Sequence, residues 1–141
     1  MANSTCTVSI DMSFTEAGGA SVSAPRKTIT TLYQSYEEGS VAIPAGATGS
    51  TEYALPFGGI TTKATMLRID NVSGAAPVTV HLNGATGASH TIGVGGTELV
   101  ADPVGATGAT GATYITSAKV VLTEAQVTAG KVDYWAFGDP A

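Results

Sequence analysis

The stretch CTVSIDMSF, residues 6–14, carries the clearest pattern in the chain, because apolar and polar side chains alternate along its whole length. A period of two residues is typical of a β-strand that is buried on one face only. We interpret Cys6 as a small packing residue of this face, since a reactive thiol would need a neighbouring His or a helix N-terminus. The full apolar face consists of Cys6, Val8, Ile10, Met12 and Phe14.

A segment of small and turn-forming residues, EAGGASVSAP at 16–25, follows this strand and is typical of an extended linker. A strand on a flexible tether can pair with a neighbouring subunit, as in domain swapping. We therefore expect residues 1–27 to form an N-terminal strand and flexible arm, and residues 28–141 to form a β-sandwich domain. The apolar face of the first strand is then a candidate assembly arm.

From residue 28 onward, short β-branched and aromatic segments alternate with turn-forming residues. A turn is expected at Glu37-Glu38-Gly39, and only Glu124–Ala129 has any helical character. About nine short strands, with no helix to serve as a parallel crossover, predict an all-β fold: an antiparallel β-sandwich, jelly-roll-like, with an extended N-terminal arm. The predicted strands are 28–33, 40–43, 53–57, 66–72, 77–82, 90–94, 97–101, 113–123 and 131–137.

The composition favours assembly with other proteins. Charged residues make up only 12% of the 141 residues, about half the usual share, although 43% are hydrophobic. The surface must then be covered largely by Thr, Ser, Gly and Ala, which hydrate weakly and pack closely against a partner.

The charge pattern argues against several classes of partner. The net charge is −5, and the six Lys and Arg form no basic stripe, so neither nucleic-acid binding nor a polybasic membrane patch is expected. No apolar run is long enough for a transmembrane helix. The opening MANSTCTVSI lacks a basic segment followed by an apolar one, so we expect no secretory signal and synthesis in a host cytoplasm.

The segment GATGATGAT, residues 105–113, has glycine at every third position, as collagen does. Three triplets without proline are too few for a triple helix, and no helix or Lys follows to bind phosphate. The tetrapeptide GATG also occurs at 46–49 and 84–87, between predicted strands. We therefore predict a long loop, either mobile or ordered by a neighbouring copy, with Gly105, Gly108 and Gly111 as candidate neighbour contacts.

No group of residues predicts a catalytic, cofactor-binding or metal site, and we expect no enzymatic activity. His81 and His90 would approach each other on a hairpin, but surface histidines on a Thr-rich strand are commoner than metal ligands. Glu37 and Glu38 are adjacent, and adjacent carboxylates in a turn usually diverge into solvent. Trp135 could form a sugar-stacking platform if exposed, whereas packing in the core is the ordinary role of a Trp in a terminal strand.

The phrases VAIPAGATGSTEYALP, residues 41–56, and NVSGAAPVTVHLNG, residues 71–84, resemble those of tailed-bacteriophage virion structural proteins. With the N-terminal strand, they are most similar to small β-sandwich capsid decoration (cement) proteins. The resemblance implies a non-enzymatic homo-oligomer, often a trimer, that binds the major capsid protein at subunit junctions on the outer surface of the virion. The alternative is a tail- or fibre-associated β-sandwich module that recognises a carbohydrate or a receptor.

Overall fold

Ten β-strands make up the regular structure of the described residues, which in this computed structural model are 3–60, 63–73, 76–84, 90–101 and 115–139. These strands form antiparallel pairs throughout, so the predicted all-β antiparallel fold is confirmed. No helix in the described ranges is long and apolar enough to cross a membrane. The strands are β1 (Ser4–Thr15), β2 (Ser21–Tyr33), β3 (Ser35–Ile43), β4 (Glu52–Leu55), β5 (Lys63–Ser73), β6 (Val78–Leu82), β7 (His90–Ile92), β8 (Thr97–Ala101), β9 (Ala118–Leu122) and β10 (Gly130–Asp139).

Two four-stranded sheets enclose a single hydrophobic core, which is the arrangement of a β-sandwich. The first sheet has the order β3-β10-β5-β8 and the second has the order β4-β9-β6-β7. Burial alternates clearly in β10, where Val132, Tyr134 and Ala136 are buried and the residues between them lie on the outer face. Leu67 and Ile69 of β5 contribute fully buried side chains to the same core.

The strands pair in a nested order along the chain. The innermost pair is β6 with β7, followed outward by β5 with β8, β4 with β9, and β3 with β10. Two further pairings, β10 with β5 and β9 with β6, join these hairpin-like pairs into the two sheets. Strands far apart in sequence are therefore neighbours in space.

Residues 37–39 lie in the middle of β3, so the turn predicted there is wrong. Gly39 pairs with Tyr134 of β10, and the tyrosine ring fills the space that a side chain at position 39 would need. A Cβ on Gly39 would lie only 2.6 Å from the tyrosine oxygen. The glycine is thus required by close packing within the sheet. Residues 124–129, the segment with weak helical character, contain no helix.

The N-terminal segment is a two-stranded hairpin formed by β1 and β2, which we call the arm. The strand predicted at 6–14 is confirmed within β1. The linker predicted at 16–25 is wrong: a tight turn follows β1, with Gly19 at a φ of +85°, and β2 begins at Ser21. The division after residue 27 stays a prediction, and β2 runs through that position.

A β-bulge explains how β2 accommodates a proline. The register shifts between Ile10 and Met12, so that Pro25 and Arg26 on β2 together oppose Asp11 on β1. A bulge leaves one residue outside the regular hydrogen-bond ladder, and proline, which has no N–H to donate, is tolerated there. The side chains of Arg26 and Asp11 then form an ion pair, with Nε and Oδ1 separated by 2.7 Å.

Candidate interaction site

The base of the arm packs on the outer face of the first sheet. The thiol of Cys6 donates to the thioether sulfur of Met66 on β5, with the two sulfur atoms 3.4 Å apart, and Met66 is only 2% exposed. Beside this contact, the Thr31 hydroxyl donates to the Thr65 hydroxyl at 2.9 Å, and both residues are buried. Burial raises the pKa of the Cys6 thiol, so it stays protonated. Cys6 serves here as a packing residue.

An aromatic cluster lies where β2 of the arm leads into β3. Phe137 of β10, Tyr33 at the end of β2 and Tyr36 at the start of β3 form a triangle of rings in which each ring contacts the other two. The ring centroids of Tyr33 and Phe137 are 5.2 Å apart in an edge-to-face arrangement, and those of Tyr36 and Phe137 are 6.1 Å apart and nearly parallel. Ring pairs in these orientations stabilise the fold by more than the free energy gained from burying their apolar surface.

The apolar face of the arm extends beyond the part that packs on the first four-stranded sheet. Ile10, Met12 and Phe14 on β1 and Val22 on β2 are 38%, 63%, 55% and 39% exposed, respectively, and Phe14 pairs directly with Val22 across the hairpin. We call these four residues the arm tip. Of the five residues predicted as the assembly arm, the structure thus brings Cys6 and Val8 toward the sheet and leaves the other three exposed.

A cleft of about 470 Å³ lies where the arm separates from the sheet. One wall is formed by Val8 and Ile10 of the arm, and the opposite wall by the sheet residues Met66, Leu99 and Trp135. Most of these side chains are apolar, so the cleft suits an apolar occupant. The sheet wall could not be predicted from the sequence, because alternation along single strands does not tell which strands are neighbours.

Trp135 lies on the outer face of the sheet and is half-buried, so the expected packing in the core is wrong. The guanidinium carbon of Arg68 lies 4.9 Å from the centroid of its ring, a cation–π contact. Asp70 orients Arg68 through two hydrogen bonds of 3.0 and 2.7 Å, and accepts a third from Thr97 at 2.9 Å. These contacts fix the side chain of Arg68, which forms the polar end of the cleft together with Thr97.

A second, shallower depression adjoins the other side of Trp135 and is lined by Glu38, Gly39, Ser40 and Asp133 as well. A hydrogen bond from Ser40 lowers the pKa of Asp133 below its usual range, with a further contribution from Lys131, whose Nζ lies 3.2 Å from Oδ2. The other carboxylate oxygen, Oδ1, is buried and accepts no hydrogen bond from the described part of the chain.

The residues considered for metal binding, His81 and His90, do not lie together in the structure. The adjacent carboxylates considered for glycoside cleavage also diverge. His90 lies opposite the buried Val80, and its Nδ1 is 3.3 Å from Glu98, whereas His81 extends from the other face of β6, beside Lys119. Glu37 and the residue after it point to opposite faces of β3. Over the described ranges, no three His, Cys, Asp or Glu side chains cluster in a way that could hold a metal ion.

The candidate neighbour contacts Gly105, Gly108 and Gly111, together with the whole GATGATGAT segment, lie outside the described residues.

No family model, curated protein or solved structure matches this chain. The arm tip, the cleft and the depression beside Trp135 are therefore the features on which a functional proposal can rest.

Proposed function

We propose that this chain is a structural protein of a phage particle, which decorates the outer capsid surface and stabilises the shell by binding the major capsid protein at subunit junctions. The observation that carries the proposal is the arm: its base is packed on the sandwich, and its tip exposes four large apolar side chains on one face. A two-stranded hairpin alone is marginally stable in water, so an exposed apolar tip gains most when another protein surface covers it.

The strand order supports the same proposal. The nested pairing of β3 with β10, β4 with β9, β5 with β8 and β6 with β7 is the one expected when a long antiparallel hairpin wraps into a jelly roll. Jelly rolls occur in viral capsid domains, and also in lectins and cupins, so the order fits a virion protein without specifying one.

The charge-poor composition is the third support. With 12% charged residues, the chain has few side chains whose charge must be desolvated when a large surface is covered. A homo-oligomer, with a trimer as the expected form, belongs to the same proposal.

Binding to capsid shells tests the proposal. The full-length protein is mixed with phage shells from which decoration proteins have been stripped, and the fraction that sediments with the shells is measured. We expect saturable binding by the wild type and loss of binding when Met12→Ser and Phe14→Ser are combined. Leu32→Ser is the matched control, because Leu32 is 57% exposed on the opposite face of the arm. The proposal fails if the wild type does not bind, or if the tip and control variants bind equally well.

A second candidate function, carbohydrate or receptor recognition by a tail- or fibre-associated module, is favoured by one specific observation. The depression beside Trp135 combines part of an indole ring with a buried oxygen of Asp133 that accepts no hydrogen bond from the described residues. Sugars are commonly bound by an aromatic face together with carboxylate acceptors for their hydroxyls. Screening on a glycan array would show binding that Asp133→Asn and Trp135→Ala both abolish. Val127→Ala, at a position 76% exposed, is the control.

A further inference from the structure

We infer that Glu37 keeps the free edge of β3 closed to strand addition, so that the sandwich does not extend its first sheet by pairing with a second copy. The free edge of a strand is the side on which it pairs with no described strand. The inference goes beyond the proposed function and does not depend on it, because it concerns an edge of the sandwich and not the arm.

The longest edge strand of the sandwich is β3. The edges of the first sheet are β3 and β8, and those of the second sheet are β4 and β7. β3 has nine residues, whereas β8, β4 and β7 have five, four and three. A free edge presents unpaired N–H and C=O groups, which another extended strand matches along its length, and a very short edge offers few of them. β3 is thus the sandwich edge at which an added strand would form the most hydrogen bonds.

Glu37 lies near the middle of this edge, on the inner face of the sheet. It pairs with the fully buried Ala136 of β10 and is half-buried, whereas Glu38 pairs with Trp135 on the outer face and is exposed. The Glu37 carboxylate reaches the turn after β4, since a Cβ on Gly58 would collide with its Oε2. No ion pair among the described residues includes Glu37. An uncompensated carboxylate therefore occupies the open side of the sandwich between β3 and β4.

A strand added to β3 would bury this carboxylate. Directly opposed residues of neighbouring strands point to the same face, with their Cβ atoms about 4.5–5.5 Å apart, so the added strand would place a side chain against the open side of Glu37. The carboxylate would then lie between two strands on the inner face, with no cation to pair with. Burial of an unpaired charge is strongly unfavourable, and inward-pointing charges are one of the ways in which natural sheets avoid association through their edges.

The opposite edge of the same sheet repeats the arrangement. Glu98 of β8 pairs with the fully buried Ile69, so its side chain also starts on the inner face. This side chain is 19% exposed, and its Oε1 lies 3.3 Å from Nδ1 of His90 on β7. Positions on the inner face of a sandwich are usually apolar. A glutamate on that face at both edges of one sheet is explained if each closes its edge.

The first strand of the arm differs in this respect. β1 has twelve residues, and its one charged side chain, Asp11, forms an ion pair with Arg26 of β2. No inward carboxylate closes its free edge. Association through the arm is therefore compatible with a sandwich whose own edges are closed.

Light scattering on purified full-length variants tests the inference. All variants carry Met12→Ser and Phe14→Ser as a common background, which removes the two most exposed side chains of the arm tip. We expect Glu37→Val to associate at a protein concentration roughly 100-fold lower than the background protein does, because valine favours strand pairing and can be buried. Glu38→Val is the matched control, since it removes the same charge from the adjacent position on the outer face, and it should behave like the background protein.

Hydrogen exchange locates the new contact. In associated Glu37→Val we expect the amides of β3 to exchange more slowly, and those of β8 to exchange as before. Glu37→Gln removes the charge and keeps the size of the side chain, so it should associate more than the background protein and less than Glu37→Val. This variant decides the test if circular dichroism shows that Glu37→Val does not fold.

The inference is overturned if the folded Glu37 variants keep the size of the background protein at all concentrations, or if Glu38→Val associates as strongly as Glu37→Val. Association that leaves exchange in β3 unchanged would overturn it as well. These measurements use no shells, so their failure leaves the proposed function standing, and a protein that does not bind shells leaves this inference standing.

Discussion

At the scale of single residues, Tyr134 links the two sheets. Its hydroxyl donates to the carbonyl of Pro56, just after β4, at 2.6 Å, and its ring is 3% exposed. Burial, with a further contribution from Glu37, raises the pKa of Tyr134 above its ordinary value near 10. A raised pKa in the folded state means that the protonated form stabilises the fold, and this stabilisation is lost as the pH rises through the folded value.

We expect Tyr134→Phe to remove this alkaline sensitivity. The variant loses one hydrogen bond, at a cost of about 1 kcal/mol near neutral pH. Urea unfolding of both proteins should show the stability difference shrinking as the pH rises above the ordinary tyrosine pKa. A difference that stays constant over that range would contradict the assignment.

Replacing Gly39 is expected to destabilise the fold. Gly39→Ala places a Cβ against the ring of Tyr134, and overpacking of this kind typically costs about 1–3 kcal/mol. Gly93→Ala is the matched control, because no atom lies within 4 Å of the added Cβ there and its φ is not positive. Thermal unfolding should show a lower Tm for the first variant only; equal effects of both would mean that the tyrosine ring moves aside freely.

At the scale of elements, the arm depends on its contact with Met66. Met66→Ala removes the side chain under Cys6 and leaves a cavity between the arm and β5, and such truncations usually cost about 2–5 kcal/mol when the site is buried. We expect hydrogen exchange in β1 and β2 to accelerate more than exchange in β6 and β9. Uniform acceleration in all four strands would show that the arm is an integral part of the sandwich.

Sequence periodicity predicted the elements whose two faces differ. The alternation in β10 appears in the structure as expected, and Trp135 and Phe137 share the outer face. In β1 the strand is present, but only Cys6 and Val8 of its apolar face are partly buried. The predicted turn at 37–39 and the predicted linker at 16–25 were wrong for a common reason: turn-forming residues are tolerated in strands when pairing or packing requires them. Gly39 has no side chain and so leaves room for the ring of Tyr134, and Pro25 lies in a β-bulge.

The candidate site was only half predictable. The apolar face of the arm can be read from residues 6–14, because it is continuous along one strand. The opposite wall of the cleft combines residues from β5, β8 and β10, such as Met66, Leu99 and Trp135. Those strands become neighbours only through long-range pairing, for which the sequence has no local signal.

At the scale of the whole molecule, the net charge of −5 predicts how the proposed self-association depends on salt. An apolar contact between two like-charged bodies is opposed by their repulsion, and salt at about 0.15 M shortens the range of that repulsion to about 8 Å. We therefore expect the oligomeric fraction measured by light scattering to rise between low and physiological ionic strength. Dissociation on adding salt would instead indicate a contact held by ion pairs.

The nested strand pairing also orders the events of folding during synthesis. The arm is a local hairpin, and its two strands leave the ribosome one directly after the other. One of the two central strands of the first sheet is β10, which lies between β3 and β5 and is the last of the described strands in the chain. Long-range pairings of this kind form slowly, and they cannot begin before both partners exist. The two strands of the arm can therefore pair transiently on the nascent chain, but the sandwich that anchors the arm closes only after translation has passed residue 139.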